Sequence, residues 1–210
     1  MGFDLYGMKP EINGDYPQRF YDILRKWGKG DHLDWSLKIP DEVTTEYFEI
    51  QTKFDEDNPG RYFRNNVWWW RPLWNFVCQS CDDFLTNKDI EGGSFNDGRK
   101  ISKTKAKRIA SRLRNLIKDG TVGKLDEEYK AKYEVASSHN KKVQEKLDKI
   151  TADCKKKHGD IVPSNFPEPY KSQWNEAYDS KDWTTDYPFC AENIENFAEF
   201  CEKSGGFEIC

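Results

Sequence analysis

The chain has 210 residues, with Lys+Arg 33 against Asp+Glu 37, a formal net charge of −4 and a pI of about 5.6. That balance argues against a general nucleic-acid or membrane-surface binder, and no apolar run approaches the length of a transmembrane helix. Mean hydropathy is −0.95, yet aromatics reach 15 % with eight Trp, far too many for a disordered chain.

The first residues, Met1-Gly2-Phe3-Asp4-Leu5-Tyr6-Gly7, lack the basic and apolar regions of a signal peptide. Gly2 invites N-myristoylation, but the Ser or Thr which that motif wants at position 6 is Tyr6. An intracellular, cytoplasmic protein is expected. Phe3 and Leu5 alternate with Asp4 and Tyr6 as in a short strand, which Gly7 and Pro10 end. Phe20, Tyr21, Ile23, Leu24 and Trp27 recur at helical spacing, and Gly28 and Gly30 stop that helix. Residues 31–60 are ambiguous: Glu and Lys interrupt the β-branched and aromatic residues between Val43 and Phe54. Asp57-Asn58-Pro59-Gly60 is a turn by composition.

The next helix is expected from about Trp69, with Pro72 in its first turn, where a missing N–H costs nothing. Leu73, Phe76, Val77 and Phe84 continue its apolar face, and Asn96-Asp97-Gly98 marks a turn. Ser102 reads as the N-cap of an amphipathic helix with Ala106, Ile109, Ala110, Leu113, Leu116 and Ile117 on its stripe and Gly120 at its end. From about Leu125 to Lys157 there is neither Gly nor Pro. Leu125, Tyr129, Tyr133, Ala136, Val143, Leu147, Ile150 and Cys154 mostly step by three and four, which predicts a long helix with a thin seam interrupted at Asn140. Pro163, Pro167, Pro169 and Pro188 punctuate an aromatic stretch expected to be a loop packed by its own rings. Ile194, Phe197, Ala198 and Cys201 mark a last helix ending at Gly205-Gly206, and Phe207 and Ile209 suit a terminal strand beside residues 3–6.

These elements define an α+β, predominantly α-helical class. A compact aromatic-rich core domain would carry a small pairing of N- and C-terminal strands and a long protruding helix or helical hairpin. Residues 1–124 and 186–210 would form the core, 125–158 the long helix, and 159–185 the aromatic, Pro-rich loop.

The tract Tyr62-Phe63-Arg64-Asn65-Asn66-Val67-Trp68-Trp69-Trp70-Arg71-Pro72-Leu73-Trp74 concentrates the most distinctive chemistry. Three consecutive Trp cannot share one side of a helix or a strand. Exposed rings stack on a planar partner at about 1–3 kcal/mol each, and Arg supplies a fork for phosphate or carboxylate. Tyr6, Arg64, Asn65, Asn66, Trp68, Trp69, Trp70, Arg71, Trp74 and Lys103 are therefore candidate ligand-binding residues for a planar, anionic molecule. The competing reading is a packed core in which Arg stacks on the rings. Density of polar groups favours the site, because each must find a partner if buried.

Lys103, Lys105, Lys107, Arg108, Arg112, Arg114 and Lys118 precede the first acid of their helix, Asp119. They either draw phosphate into a neighbouring pocket or form a solvated face balanced by Asp126, Glu127 and Glu128. No helix-turn-helix, zinc-finger or ribonucleoprotein signature accompanies them, so no specific nucleic acid is expected. Cys78 and Cys81 form a CxxC, and Cys154 and His158 share a ligand-compatible spacing, so a Cys3His zinc site is geometrically open. Helical Cys are more often small buried hydrophobes; the chain's six, with Cys190, Cys201 and Cys210, are expected as thiols, with no metal or cofactor bound. No Ser-His-Asp grouping, Walker loop, GxGxxG or HExxH occurs, and His32 and His139 lack catalytic companions.

MGFDLYG at the start, YFRNNVWWWRPLW in the middle, the NDG-x2-IS-x-TKA stretch at 96–106 and YPFCAENIENFAEFCEKSGGFEIC at the end resemble an uncharacterised family of small proteins of tailed bacteriophages. The resemblance covers both ends and the centre, about half the chain. Some relatives carry paired CxxCxGxG zinc knuckles where this chain has a Lys/Glu-rich helix, which weakens the zinc reading. Residues 15–58 look inserted relative to shorter relatives. The family supplies no activity. Its phage setting implies a role against host defence or regulation.

The leading reading is a non-enzymatic phage accessory protein in the host cytoplasm. It would hold a nucleotide-like small molecule by Trp stacking, with Arg64, Arg71 and Lys103 on its phosphates, and so sequester a host immune signal. The alternative is a protein–protein module in which the long helix and aromatic loop dock a host protein or a second copy of the chain. A third is a nucleotide- or sugar-processing enzyme drawing on Asp4, Tyr6, Asp82, Asp83 and Asp97.

Overall fold

Alternation in the first strand decides the layering. The computed structural model describes residues 2–210. In it β1 (Gly2–Gly7) lies inside a four-stranded antiparallel sheet of order β4-β1-β6-β5, with β4 at Tyr62–Asn66, β5 at Arg99–Ser102 and β6 at Gly206–Ile209. Register pairs Asp4 with Arg64, Tyr6 with both Tyr62 and Glu208, and Lys100 with Glu208. Those six side chains share one face. The other face presents Phe3, Leu5, Ile101, Phe207 and Ile209, all buried. The expected pairing of the chain's first and last strands is present.

Three helices cover the apolar face: α3 (Val67–Ser80), α5 (Lys103–Lys118) and α8 (Ala191–Lys203). Rings fill the layer between. Trp70 stacks on Phe3 at 5.4 Å and on Trp74 at 5.3 Å, and Phe197 meets Phe63, Phe200 and Phe207 at 5.2, 6.1 and 5.9 Å. The step from α8 into β6 needs glycine at Gly205, where φ is +65° and a Cβ would meet the Lys9 carbonyl oxygen at 2.1 Å. Ser102 caps α5 as expected, its hydroxyl accepting from the Lys105 amide.

Short helix α4 (Asn87–Gly92) is anchored by one buried carboxylate. Asp89 closes a capping box with Thr86 and also accepts from Arg99 and Lys105. Burial alone would raise its pKa. The bonds from Lys105, Thr86 and Arg99 outweigh burial and hold the carboxyl well below the usual range.

Residues 31–60, ambiguous in sequence, fold into a lobe with α1 (Gln18–Trp27). A two-stranded hairpin, β2 (Gly28–Lys29) and β3 (His32–Leu33), turns on Gly30 at φ +74° and leads to α2 (Asp41–Asp57). Phe20, Ile23, Leu33 and Tyr47 form a small core of their own, bordered by Tyr16, Leu24 and Val43. Fully buried Asn58 ties α2 to the chain after β1: its Oδ1 accepts from the Asn13 amide at 2.6 Å, and its Nδ2 donates to the Phe54 carbonyl at 2.9 Å.

The chain divides into two units, residues 1–120 with 191–210, and residues 121–190. The second contains α6 (Thr121–His158) and α7 (Tyr170–Asp179), which packs back on it around Val143, Leu147 and Ala177. Two expectations change here. The long helix starts at Thr121, before residue 125, and 159–185 is not a plain loop because it carries α7. Asn140 interrupts the seam for a reason: its amide exchanges two 2.8 Å bonds with the Asp182 backbone, holding the returning chain. Among the described residues no helix is long and apolar enough to cross a membrane.

Replacing Asp89 by Asn is expected to cost about 3–5 kcal/mol, because it strands two partly buried cations. Urea denaturation measures this. A depressed folded-state pKa means that the carboxylate's contribution is complete above about pH 4 and fades as the pH falls below it. The native protein should therefore lose stability in acid with a steeper slope than Asp89→Asn.

Candidate functional site

The junction between β4 and α3 falls at Asn66, and this disperses the aromatic tract. Asn66 is the N-cap of α3, its side-chain oxygen accepting from the amides of Trp68 and Trp69 at 3.0 and 3.1 Å. The helix begins at Val67 rather than Trp69, so Pro72 lies in its interior and not in its first turn. There it cannot donate back to the Trp68 carbonyl.

Helical rotation then sorts the rings. Trp70, Leu73, Trp74 and Val77 turn inward, while Trp68 and Arg71 face out and Trp69 is half-buried. Trp70 is 0 % exposed and Trp74 2 %. Their indole N–H groups donate to the carbonyls of Gly93 at 2.7 Å and Ile90 at 3.1 Å. Only glycine fits at position 93, since a Cβ would lie 2.1 Å from the Trp74 ring. Trp70 and Trp74 are thus core residues and not ligand contacts, contrary to expectation. Asn65 is also committed inward, donating to Asn193 at 3.0 Å.

Of the candidate residues, Tyr6 and Arg64 lie together on the open sheet face. Asp4 sits between them, accepting from the Tyr62 hydroxyl and lying 3.5 Å from Arg64. The Tyr6 and Tyr62 rings are 5.4 Å apart. Burial, then the bond to Asp4, pushes the Tyr62 pKa up and keeps its hydroxyl protonated. Lys103 is exposed at the first position of α5. The ten residues therefore lie on both sides of the sheet–helix layer and do not enclose one ligand.

The basic helix is balanced, but by other acids than expected. Arg108 and Arg112 reach Asp83 at 3.5 and 3.0 Å, Lys105 reaches Asp89, and Arg114 lies 3.7 Å from Glu202. Asp83 is consequently an ion-pair partner in this fold. All six Cys are free thiols. Burial pushes Cys78 and Cys81 up to about 12, so both stay protonated and poor as metal ligands. Cys154 and His158 belong to the other unit. Among the described residues no group of three or more His, Cys, Asp or Glu is placed to hold a metal ion.

A ring-and-arginine arrangement does form elsewhere, in the lobe of α1 and α2. A cavity of about 630 Å³ opens there, within the usual size range of small-molecule sites. Tyr16, Phe20, Tyr21, Arg25, Gln51 and Arg61 line it, with Gly30 and Asp31 from the hairpin turn at its border. Tyr16 lies between Phe20 and Phe54, each stacked at 3.9 Å. Arg61 lies over the Tyr16 and Phe54 rings at 5.7 and 5.6 Å and pairs with Asp55. Tyr21 and Arg25, four apart on α1, share a face, and the Tyr21 ring is 44 % exposed. The Tyr16 hydroxyl is buried without a hydrogen-bond partner among the described residues. Burial raises its pKa, partly opposed by Arg61.

This cavity was not legible in the sequence because its lining comes from Tyr16 ahead of α1, α1 itself, the hairpin turn, α2 and Arg61 just before β4. The available signal was Tyr16, the Phe20-Tyr21 doublet and Arg25 one turn on. No protein-family model, curated protein or solved structure matches the chain.

Trp70→Ala is expected to cost about 3–5 kcal/mol through cavity formation, whereas Trp68→Ala, at a ring 44 % exposed, should cost distinctly less. Chemical denaturation followed by circular dichroism compares them. Equal losses would contradict the sorting of the tract into inner and outer rings.

Proposed function

We propose that the protein is a non-enzymatic binding protein for a nucleotide-like small molecule, a flat ring bearing an anionic group, seated in the cavity between α1 and α2. The observation that carries this reading is the half-open Tyr21 ring beside Arg25 and Arg61 on the wall of a ring-lined cavity. The open Tyr21 ring offers a stacking surface. Arg25 and Arg61 supply planar forks for an anionic group, and the Gln51 amide can read a ring edge.

The ligand class is the one the Trp tract suggested; its address has moved. The phage resemblance of the sequence supplies a setting, in which the protein would act in the host cytoplasm and withhold a nucleotide signal from host defence. Sequestration needs affinity and no catalytic base, which suits a site of rings and arginines.

Isothermal calorimetry against adenosine, AMP, 3′,5′-cyclic AMP, their guanine counterparts and ADP-ribose tests the proposal. At least one should bind and raise the melting temperature. Tyr21→Ala, at an exposed ring, should weaken that binding about tenfold, while Trp68→Ala leaves it unchanged. No binding across the panel, or binding indifferent to Tyr21 and Arg25, would overturn it.

A further inference from the structure

The electrostatics and ring count of the α1–α2 cavity narrow what it can hold. Neither arginine brings uncompensated charge. Arg61 is paired with Asp55, itself only 19 % exposed, and Arg25 lies 3.2 Å from Asp22. The Asp31 carboxylate stands fully exposed at the border, with the His32 ring 3.1 Å away. With these partners counted, two guanidiniums are set against three carboxylates, of which Asp31 alone is among the lining residues. Such a site can meet one anionic group by the fork geometry of its arginines, but it has no surplus positive charge for a chain of phosphates.

The rings impose a second limit. Both faces of Tyr16 are covered, by Phe20 on one side and Phe54 on the other. Phe20 is itself buried, 5 % exposed, and stacks on Tyr47. Tyr21 stands perpendicular to Tyr16 and Phe20, at 6.5 and 5.9 Å, and is 44 % exposed. One ring, Tyr21, is therefore available for stacking, beside the Gln51 amide.

From these two limits, and resting on the binding function above, we infer that the ligand is a mononucleotide: one base and one phosphate group, open or cyclic, rather than a nucleoside di- or triphosphate or a dinucleotide. The phosphate would lie toward Arg25 and Arg61, with Asp31 opposing any further charge.

Titration of adenosine, AMP, 3′,5′-cyclic AMP, ADP and ATP, with the guanine series in parallel, reads this directly. AMP or cyclic AMP should bind more tightly than adenosine, and ADP and ATP no more tightly than AMP. The AMP and cyclic AMP arms separate an open from a cyclic phosphate. Asp31→Asn, at a fully exposed position that leaves folding intact, should improve ATP binding about threefold at low salt and leave adenosine unchanged. Affinity that climbs with each added phosphate, or an ATP affinity indifferent to Asp31→Asn, overturns the mononucleotide limit while the binding function stands. Failure of every compound, adenosine included, removes both.

Discussion

Two indoles stacked 5.3 Å apart must be kept dry, and each carries an N–H that hydrocarbon cannot satisfy. Trp70 and Trp74 solve this by donating to carbonyls at the end of α4. That helix has only six residues and is held in turn by Asp89, through Thr86, Arg99 and Lys105. The aromatic layer, the short helix and the strand β5 are thus one connected arrangement. Loss of the buried carboxylate would loosen the acceptors of both indoles.

With the inner face of the sheet committed to rings, the tract's remaining polar groups have local duties. Asn66 caps α3, Asn65 bonds to Asn193, and Arg64 neighbours Asp4. The density of polar groups among rings that suggested a ligand is explained by a strand ending and a helix beginning within a few residues. The lobe of α1 and α2 is different. Its core is small, and its border leaves Tyr16 with a packed ring and an unsatisfied hydroxyl. Beside that core a cavity of about 630 Å³ stays open, so ring packing there is incomplete.

Periodicity made much of the fold legible. Alternation at Phe3 and Leu5, the Ser102 cap, the stripe from Ala106 to Ile117 and the terminal strand at Phe207 and Ile209 all form as their spacing implies. Elements decided by tertiary context were not legible. The stretch from Val43 to Phe54 mixes rings with charges because α2 is only half-covered, with Tyr47 alone fully buried. Prolines at 163, 167 and 169 obscured α7, which starts directly after the last of them. The cavity was illegible for a related reason: Tyr21, Gln51 and Arg61 are brought together only by the packing of three segments.

The central claim is that ligand enters the α1–α2 lobe and not the Trp tract, and hydrogen–deuterium exchange in the presence and absence of AMP tests it most directly. The account predicts slowed exchange over residues 16–31 and 51–61, with 67–80 unchanged. Protection concentrated on residues 64–71, with the lobe unaffected, would contradict it.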